Sequence, residues 1–328
     1  MKYLLKFLIL LFGTLSFSQE LIFENLFDSS LNSEIACYRI PSIVTSTNGI
    51  LIAAIDERNN TCGDLKWNRN INIVLRKSYD DGKTWTKIER IIDYPIGESA
   101  SDPSMIVDRQ TKDIFLFYNY MNLDKAKDIY RFMVIKSNDN GESWSSPKDI
   151  TDQITKKEWK NDFMFITSGR GIQSEDGILL HCLVNLNKGT HVFGSNDHGK
   201  NWFLIDYPLK PGDESKIIEL SNGDWLVNSR VNLNKFRYSH ISKDKGKSWL
   251  SFENKDLSDP ACNASIINYN ISSEKLLLFS NAFDSNERKN LSLSISYDQG
   301  MSWENNKTIY KGSSAYSSMT KLKNGDVG

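Results

Sequence analysis

Aspartate is the residue of this chain whose regular spacing first raises the question of acid–base chemistry. It recurs within an eight-residue box, Ser-x-Asp-x-Gly-x-x-Trp, whose five copies place aspartates at positions 80, 139, 197, 244 and 298. In each box the carboxylate can accept hydrogen bonds from backbone N–H groups across a turn, and the glycine supplies a positive φ. The tryptophan would start the next strand and pack between neighbouring sheets. We therefore interpret the boxes as structural turns and assign their aspartates no catalytic role.

Histidine and cysteine, the other residue types that commonly carry chemistry, do not indicate a metal centre. The four histidines show no metal-ligand spacing: 181, 191, 198 and 240. The four cysteines are too few for a disulfide-stapled mini-protein: 37, 62, 182 and 262. The sequence therefore implies no metal and no organic cofactor.

The composition is that of a folded chain without a general affinity for polyanions. Hydrophobic residues make up 39% of the 328 residues, which is enough to bury a substantial core. Lysine and arginine number 40 against 41 aspartates and glutamates, so the formal net charge is −1. This balance argues against a nucleic-acid binder that relies on a basic surface.

The segments around the boxes are rich in β-forming residues, and no window has a long helical period. Runs such as 71–78, 130–137 and 291–296 lead directly into a box, and further apolar runs lie upstream of them. The boxes recur about every 54 residues, a period typical of a β-propeller. At that period, residues 20–328 would form about six blades. The sequence thus predicts one all-β domain, a six-bladed propeller, with one blade incomplete or lacking a box.

The first 19 residues have the organisation of a secretory signal peptide. Lys2 and Lys6 flank the start of an apolar run over 7–12, and small and polar residues follow. The run is shorter than the roughly 20 residues of a membrane span, although an uncleaved anchor is the alternative. We expect an exported protein, secreted or periplasmic, with no membrane span in the mature chain.

A second motif precedes the boxes and gives them a family. Tyr-Arg-Ile-Pro at 38–41, followed by the five boxes, resembles the exo-α-sialidases, the bacterial neuraminidase family of glycoside hydrolases. The resemblance runs from about residue 34 to Gly328. In that family the last blade continues beyond the segment that matches Gly-Asp-Val-Gly, into a segment whose glutamate supports the first arginine. We therefore expect the last blade here to be incomplete.

The resemblance implies an arginine clamp for an anionic sugar. Arg39 in the Tyr-Arg-Ile-Pro motif resembles the first arginine of the family's triad, Arg230 the second and Arg288 the third. Sialic acid carries a carboxylate on its anomeric carbon, and arginine can bind a carboxylate through two parallel charge-assisted hydrogen bonds. Three converging guanidinium groups without a ligand would be costly, which favours an anionic substrate.

The resemblance also implies the catalytic groups. Tyr316 matches the family's nucleophile, and Glu214 matches the glutamate that would serve as its base. Sialidases use tyrosine because a carboxylate nucleophile would be repelled by the carboxylate of the substrate. Asp64 occupies the stretch where the family keeps its acid/base aspartate. Asp56, which looks like the end of a core strand, and Asp81, inside a box, are the other carboxylates nearby, with Asp56 the reserve candidate.

Further contacts to the sugar are implied with less detail. Arg58 resembles an additional family arginine on the O4 side of the sugar, and Asp102, with Met105 nearby, resembles the aspartate that faces the same edge. Trp159 is a candidate wall of the N-acetyl pocket, and Trp67 is the alternative. Two cysteines, 37 and 62, each precede a proposed site residue by two positions. They could form a disulfide in adjacent strands, or remain free thiols.

Together these residues predict an exo-α-sialidase that releases terminal sialic acid with retention of configuration. Its substrates would be sialylated glycoproteins, glycolipids or oligosaccharides, and we expect the protein to be a monomer. Two alternatives remain open at this stage: a trans-sialidase, including an intramolecular one, and a propeller that binds sialoglycans without catalysis. The presence of a nucleophile and base pair argues against the second alternative, because binding alone requires neither.

Overall fold

The computed structural model describes residues 21, 23–126, 129–232, 234–271 and 274–328, without the side chain of residue 305. The predicted signal peptide over residues 1–19 lies outside the described residues. The described chain forms five mainly antiparallel sheets that follow one another in sequence. An inner strand of each sheet contacts an inner strand of the next sheet, which gives the radial arrangement of a β-propeller. The all-β prediction and the propeller prediction are therefore confirmed.

The first three blades contain fourteen strands. Blade 1 comprises β1 (Ile35–Thr45), β2 (Leu51–Asn59), β3 (Ile71–Ser78) and β4 (Glu89–Ile92). Blade 2 comprises β5 (Glu98–Val107), β6 (Ile114–Asn122), β7 (Arg131–Ser137), β8 (Lys148–Asp149) and the short parallel strand β10 (Gly169–Arg170). Blade 3 comprises β11 (Ile172–Gln173), β12 (Leu179–Asn185), β13 (Gly189–Ser195) and β14 (Phe203–Leu209), and β9 (Met164–Ile166) pairs with β12.

The last two blades have four strands each, and helix is scarce. Blade 4 comprises β15 (Ser215–Glu219), β16 (Trp225–Ser229), β17 (Phe236–Ser242) and β18 (Leu250–Ser258). Blade 5 comprises β19 (Ser265–Ile271), β20 (Glu274–Ala282), β21 (Lys289–Ser296) and β22 (Glu304–Ser313). One short helix, α1 (Thr151–Ile154), and three 3-10 turns complete the described elements: Ser29–Leu31, Leu65–Trp67 and Lys157–Trp159. Within the described ranges, no helix is both long and apolar enough to cross a membrane.

The prediction of six blades is wrong for the described residues, which form five. The count assumed that every residue after position 19 contributes to blades at the period of the boxes. After β22, however, residues 314–328 contain only a single β-bridge, between Lys321 and Val327. This last segment closes on blade 1 instead, because the Thr45 hydroxyl donates to the Lys321 carbonyl (2.7 Å).

Each box forms the compact turn that its residues predict. In the second box, Asp139 Oδ1 accepts hydrogen bonds from the Ser143 N–H (2.9 Å) and the Ser137 hydroxyl (2.8 Å). Gly141 has φ +85°, and a Cβ there would lie 2.8 Å from Cδ1 of Ile52 in the neighbouring blade. The other four boxes repeat the carboxylate-to-backbone bond at 2.8–2.9 Å. These bonds confirm the structural interpretation of the boxes.

The box tryptophans join successive blades, as predicted. Trp202, at the end of the blade 3 box, is 4% exposed and packs edge-on against Phe115 and Phe117 of blade 2. Burial of large aromatic rings between sheets contributes much of the apolar area of such a core. The inner strands are thereby held at fixed distances, and their starting ends form one face of the propeller.

Candidate active site

Two inner strands carry site residues at matching irregularities. β1 and β5 each contain a β-bulge, between Arg39 and Ser42 and between Ser101 and Ser104. Within the bulges, Ile40 has φ +66° and Asp102 has φ +63°, a conformation that is rare for a branched residue such as isoleucine. A proline follows each of them and cannot donate to the sheet, which suits a bulge. The two strands therefore interrupt their pairing at the point where a functional side chain is presented.

A buried ion pair between Arg58 and Asp56 lies beneath these bulges. The Arg58 side chain is 1% exposed, and its Nη2 lies 2.9 Å from Oδ2 of Asp56, which is 0% exposed. Asp56 also accepts hydrogen bonds from the Ser101 hydroxyl and, at 2.9 Å, from the Asp102 N–H, and so links blade 1 to blade 2. The carboxylate has no open position for a leaving group. Asp56, the reserve candidate for the acid/base, is thus an anchor for Arg58.

Arg58 and Arg39 both reach Asp64. Arg58 Nη1 lies 2.6 Å from Asp64 Oδ1, and Arg39 Nη1 lies 3.5 Å from the same oxygen. Burial opposes the charge of Arg58, but the Asp56 and Asp64 carboxylates outweigh it and raise the pKa of Arg58. Asp64 is 59% exposed at the start of a 3-10 turn, so its second oxygen is open to a ligand. The structure therefore brings three predicted site residues together.

A disulfide fixes this group of residues. Cys37 and Cys62 are bonded, with their Cα atoms 5.7 Å apart. The Cys62 carbonyl accepts hydrogen bonds from Arg58 Nη1 (3.0 Å) and Arg39 Nη1 (3.3 Å). The pairing considered from the sequence is confirmed, and its effect is to hold the loop of Asp64 against the two arginines.

Asp102 lies beside this group, in surroundings that disfavour its ionised form. Its Oδ2 accepts a hydrogen bond from the Asn119 amide (2.9 Å). Burial and the nearby Asp56 carboxylate raise the pKa of Asp102 to about 8, with a smaller contribution from Glu214. A protonated Asp102 can donate a hydrogen bond to a sugar hydroxyl at neutral pH, whereas an ordinary aspartate can only accept.

Glu214, Arg230 and Asp213 form a second charged group, at the start of blade 4. Arg230 Nη1 lies 2.6 Å from Glu214 Oε2, and the Arg230 N–H donates to the Glu214 carbonyl (2.9 Å). The Glu214 side chain is 5% exposed, so its carboxylate is buried beside Arg230. Asp213 is also buried. Its carboxylate accepts from the Glu214 N–H (2.7 Å) and from the Asn232 amide.

Tyr316 lies against this second group. Its hydroxyl accepts a hydrogen bond from Arg230 Nη1 (3.3 Å), and the same nitrogen lies 2.6 Å from Glu214 Oε2. Burial, together with the negative charge of Glu214, holds the pKa of Tyr316 well above its usual value, and Arg230 partly offsets this. Arg288 lies with its guanidinium carbon 5.5 Å from the centre of the Tyr316 ring, and its Nη2 donates to the Ala261 carbonyl (2.9 Å). The tyrosine is thus protonated at rest beside a carboxylate that can accept its proton.

The two candidate tryptophans have different environments. Trp159 is 4% exposed in a hydrophobic core, with its ring 4.7 Å from that of His191. The proposal that Trp159 walls an open N-acetyl pocket is therefore wrong, because its ring is committed to packing between α1 and blade 3. Trp67 is 65% exposed on the 3-10 turn that follows Asp64, with Lys66 Nζ 4.6 Å above its ring. Met105, 0% exposed, belongs to the core.

Sequence reasoning missed a buried lysine beneath the site. Lys216 is 2% exposed, and its Nζ donates to Asn263 Oδ1 (2.6 Å), while the Asn263 amide donates to the Ser168 hydroxyl (2.8 Å). Burial lowers the pKa of Lys216 to about 8, against a smaller opposing effect of Glu214. The sequence did contain a signal for this burial. Side chains alternate between the two faces of a strand, so Lys216, two residues after Glu214, points to the same interior face.

Comparison with known proteins places this arrangement in a family. Residues 63–328 match the model of the BNR repeat-like domain. The chain belongs to the BNR repeat-like family. It is 32% identical over 323 residues to a sialidase of Micromonospora viridifaciens, covering 89% of this chain and 49% of that protein. It is 29% identical over 298 residues to a sialidase of Bacteroides fragilis strain YCH46, covering 82% and 54%.

A solved structure supports the same relationship. The Hadza microbial sialidase Hz136 superimposes with a TM-score of 0.81 at 26% identity, over 88% of this chain and 62% of that one. The family resemblance inferred from Tyr-Arg-Ile-Pro and the boxes is therefore confirmed. The chain spans about half the length of the curated relatives it matches.

Proposed function

We propose that this chain is the catalytic propeller of an exported exo-α-sialidase that releases terminal sialic acid with retention of configuration. The observation that carries the proposal is that Arg230 Nη1 contacts both the Tyr316 hydroxyl (3.3 Å) and the Glu214 carboxylate (2.6 Å), which brings a tyrosine, a base and a cation together. The sialidase relatives support the substrate class. Sialylated glycoproteins, glycolipids and oligosaccharides all present the required terminal group, and the propeller would act on them as a monomer.

Substrate binding would begin with the sugar carboxylate. Arg230 Nη1 is 2.6 Å from Glu214 in the free protein, so a bound carboxylate would share that guanidinium with Glu214. Arg39 and Arg288 would supply the other two forks of the clamp. Drawing Arg230 toward the substrate would weaken its hold on Glu214 and free a carboxylate oxygen to accept from the Tyr316 hydroxyl. Binding of the sugar carboxylate would thereby be coupled to activation of the Tyr316 nucleophile.

The reaction would then follow the two-step course of a retaining glycosidase. Tyr316 Oη would attack the anomeric carbon while its proton passes to Glu214, and Asp64 would protonate the departing glycosidic oxygen. Water would next cleave the tyrosyl–sugar bond, with Asp64 taking the proton from that water and Glu214 returning its proton to the departing Tyr316 Oη. Arg39 and Arg58 hold Asp64 by one oxygen, leaving the other for this role. Arg58 and Asp102 would face the O4 edge of the sugar.

Trapping of the covalent intermediate tests the proposal. A fluorinated sialoside should label the wild-type protein at Tyr316, as found by peptide mass spectrometry, and should leave Tyr316→Phe unlabelled. Turnover of a fluorogenic α-sialoside should fall by several orders of magnitude in that variant, because the covalent route is lost. Tyr118→Phe is the matched control, since it removes a buried hydroxyl bonded to Tyr94 (2.8 Å) outside the site. Labelling at another residue, or full turnover by Tyr316→Phe, would contradict the mechanism.

Product analysis completes the test. NMR of the first-formed sugar should show the α-anomer of free sialic acid, as retention requires. An anhydro sugar, or transfer to an added acceptor, would instead assign a trans-sialidase activity. Binding of sialosides without any turnover would assign a non-catalytic propeller.

A further inference from the structure

The end of the propeller opposite the candidate active site contains a large cavity. The site residues lie near the beginnings of the inner strands, whereas the cavity is lined by their later residues, including Thr45, Val107, Glu219 and Asn268. Its volume is about 920 Å³. That size is within the range of small-molecule sites in proteins. We name it the basal cavity.

Arg170 in the basal cavity differs from the other arginines placed deep in the propeller. Arg58, Arg230 and Arg237 each lie close to a carboxylate, at 2.9, 2.6 and 3.4 Å. Arg170 donates one hydrogen bond, from Nη1 to the Met319 carbonyl (3.0 Å), and its buried Nε has no acceptor among the described residues. No carboxylate of the described chain lies within 4.0 Å of its guanidinium group. Burial without such a partner lowers the pKa of Arg170 to about 10.

The walls of the cavity have an excess of positive charge. Their cationic residues outnumber the acidic ones by five to two: Arg109, Arg170, Lys275, Lys321 and Lys323 against Glu175 and Glu219. Both glutamates are already engaged on the rim. Glu219 accepts the Glu175 N–H (2.5 Å), and the Glu175 carboxylate lies 3.9 Å from Arg109. Neither neutralises Arg170.

Apolar side chains complete the lining. Ile172, Ile218 and Ile266 come from blades 3, 4 and 5 and face the same space. A ligand that satisfied Arg170 could therefore also bury apolar surface. We propose that the basal cavity binds a small organic oxyanion, whose carboxylate or phosphate group pairs with Arg170 and whose apolar part packs on the three isoleucines. The bound anion would give Arg170 a charged partner of the kind that Arg58, Arg230 and Arg237 have within the chain, and would accept from its unpaired Nε.

The test uses four additives that separate charge from apolar character: inorganic phosphate, phenyl phosphate, benzoate and phenol. Melting temperature is followed against additive concentration, with ionic strength held constant by NaCl so that general screening is the same throughout. Phenyl phosphate or benzoate should raise the melting temperature with saturation, because ligands stabilise the state they bind. Phosphate alone should bind more weakly, and phenol should give no saturable shift.

Variants make the test specific. Arg170→Gln should weaken binding of the responsive anion at least tenfold by calorimetric titration, and Arg170→Lys should be intermediate, because lysine keeps the charge without the fork. Arg76→Gln is the matched control: Arg76 also donates to backbone carbonyls, of Leu26 and Thr86, but lies outside the cavity. If Arg170→Gln fails to fold, Lys321→Met provides the same comparison with a smaller expected loss.

Two results would overturn the proposal: an equal response of wild type and Arg170→Gln, or a response to phenol that matches phenyl phosphate. A larger response to benzoate than to phenyl phosphate would assign the ligand group as a carboxylate, and the reverse order a phosphate. None of these measurements requires sialoside turnover. The outcome is therefore independent of whether the proposed sialidase function is correct.

Discussion

Asp139 in a box and Asp102 in the candidate active site show how one residue type acquires opposite properties in one propeller. Asp139 lies at the surface and accepts hydrogen bonds from the Ser143 hydroxyl and N–H, which lower the pKa of Asp139 to about 2. Asp102 lies largely out of water beside Asp56, with its residue only partly exposed, and burial raises the pKa of Asp102 to about 8. The number of donors and the access of water, rather than the residue type, decide whether the charge is stabilised.

The boxes and the candidate active site therefore also differ in how they contribute to stability. Box aspartates favour the folded state when they are charged, whereas the ionisable groups of the site disfavour it or need partners from distant segments. Glu214 and Tyr316 are separated by about 100 residues in sequence and meet only when blade 4 and the last segment are both in place. We therefore expect substitutions in the site to change function first, and substitutions in the boxes to change stability first.

The largest effect is expected for Arg230→Lys. Lysine keeps the positive charge but cannot offer two parallel donors to a carboxylate. We expect roughly 100-fold weaker binding of a sialic acid transition-state analogue, about 3 kcal/mol, with little change in melting temperature. Inhibition kinetics and thermal unfolding measure the two effects. Arg131→Lys, at the exposed pair with Asp149 (2.6 Å), is the control and should change neither. Unchanged inhibition would remove Arg230 from the clamp.

The second effect tests whether the buried charge of Lys216 lowers the free energy of unfolding. The pKa of Lys216 is lowered to about 8 in the folded state, below its unfolded value of roughly 10.4. The unfolded chain therefore binds the proton more tightly, and the cost is fully present below pH 8 and lost as pH rises toward 10.4. Lys216→Met should gain up to about 3 kcal/mol of unfolding free energy at pH 7, reduced by the lost bond to Asn263, and little at pH 10.5.

Lys77→Met is the matched control for Lys216→Met. Lys77 is also buried, but its Nζ lies 2.8 Å from the Glu142 carboxylate. Burial opposes its charge, yet Glu142 outweighs it and raises the pKa of Lys77. Denaturant unfolding at pH 7 and 10.5 should show no gain for this variant. An equal gain in both variants would mean that the apolar replacement, and not the unpaired charge, is responsible.

Prediction from sequence succeeded where the determining contacts are local. A box contains its own acceptor, donors and glycine within eight residues, so its turn could be foreseen from the residues alone. The site required a family resemblance, because Arg39, Glu214 and Tyr316 come from blade 1, the start of blade 4 and the last segment of the chain. The buried position of Asp213 could not be foreseen for the same reason: its carboxylate accepts from Asn232, 19 residues away. The number of blades was also misjudged, since a repeat period does not show how the last segment is used.

The third effect concerns Asp102 in the candidate active site. Its contribution to stability depends on pH in the opposite direction to that of the box aspartates. Because the folded pKa of Asp102 is raised above the unfolded value of about 3.9, the folded state loses stability as pH rises from about 4 through 8. Asp102→Asn mimics the protonated group and can still accept from Asn119. Its melting temperature should equal that of wild type near pH 4 and exceed it by a few degrees above pH 8, about 1–2 kcal/mol after allowance for partial exposure. A pH-independent difference would contradict the assigned proton.

The effect expected for Asp139→Ala is no larger than that for Asp102→Asn, and it has the opposite sign. The folded pKa of Asp139, about 2, lies below the unfolded value of about 3.9. Its contribution is therefore fully present above pH 4 and lost as pH falls toward 2. Removing its acceptors should cost roughly 1–2 kcal/mol at pH 7, since water solvates the exposed donors that remain. Urea unfolding at pH 7 and pH 2.5 measures the difference, with the exposed neighbour Asn138→Ala as control.

KM and kcat of the folded variant should equal those of wild type, because the turn lies at the outside of blade 2 and contacts none of the site residues. A normally folded but inactive Asp139→Ala protein would show that a box takes part in the chemistry, and the division between the two regions would no longer hold.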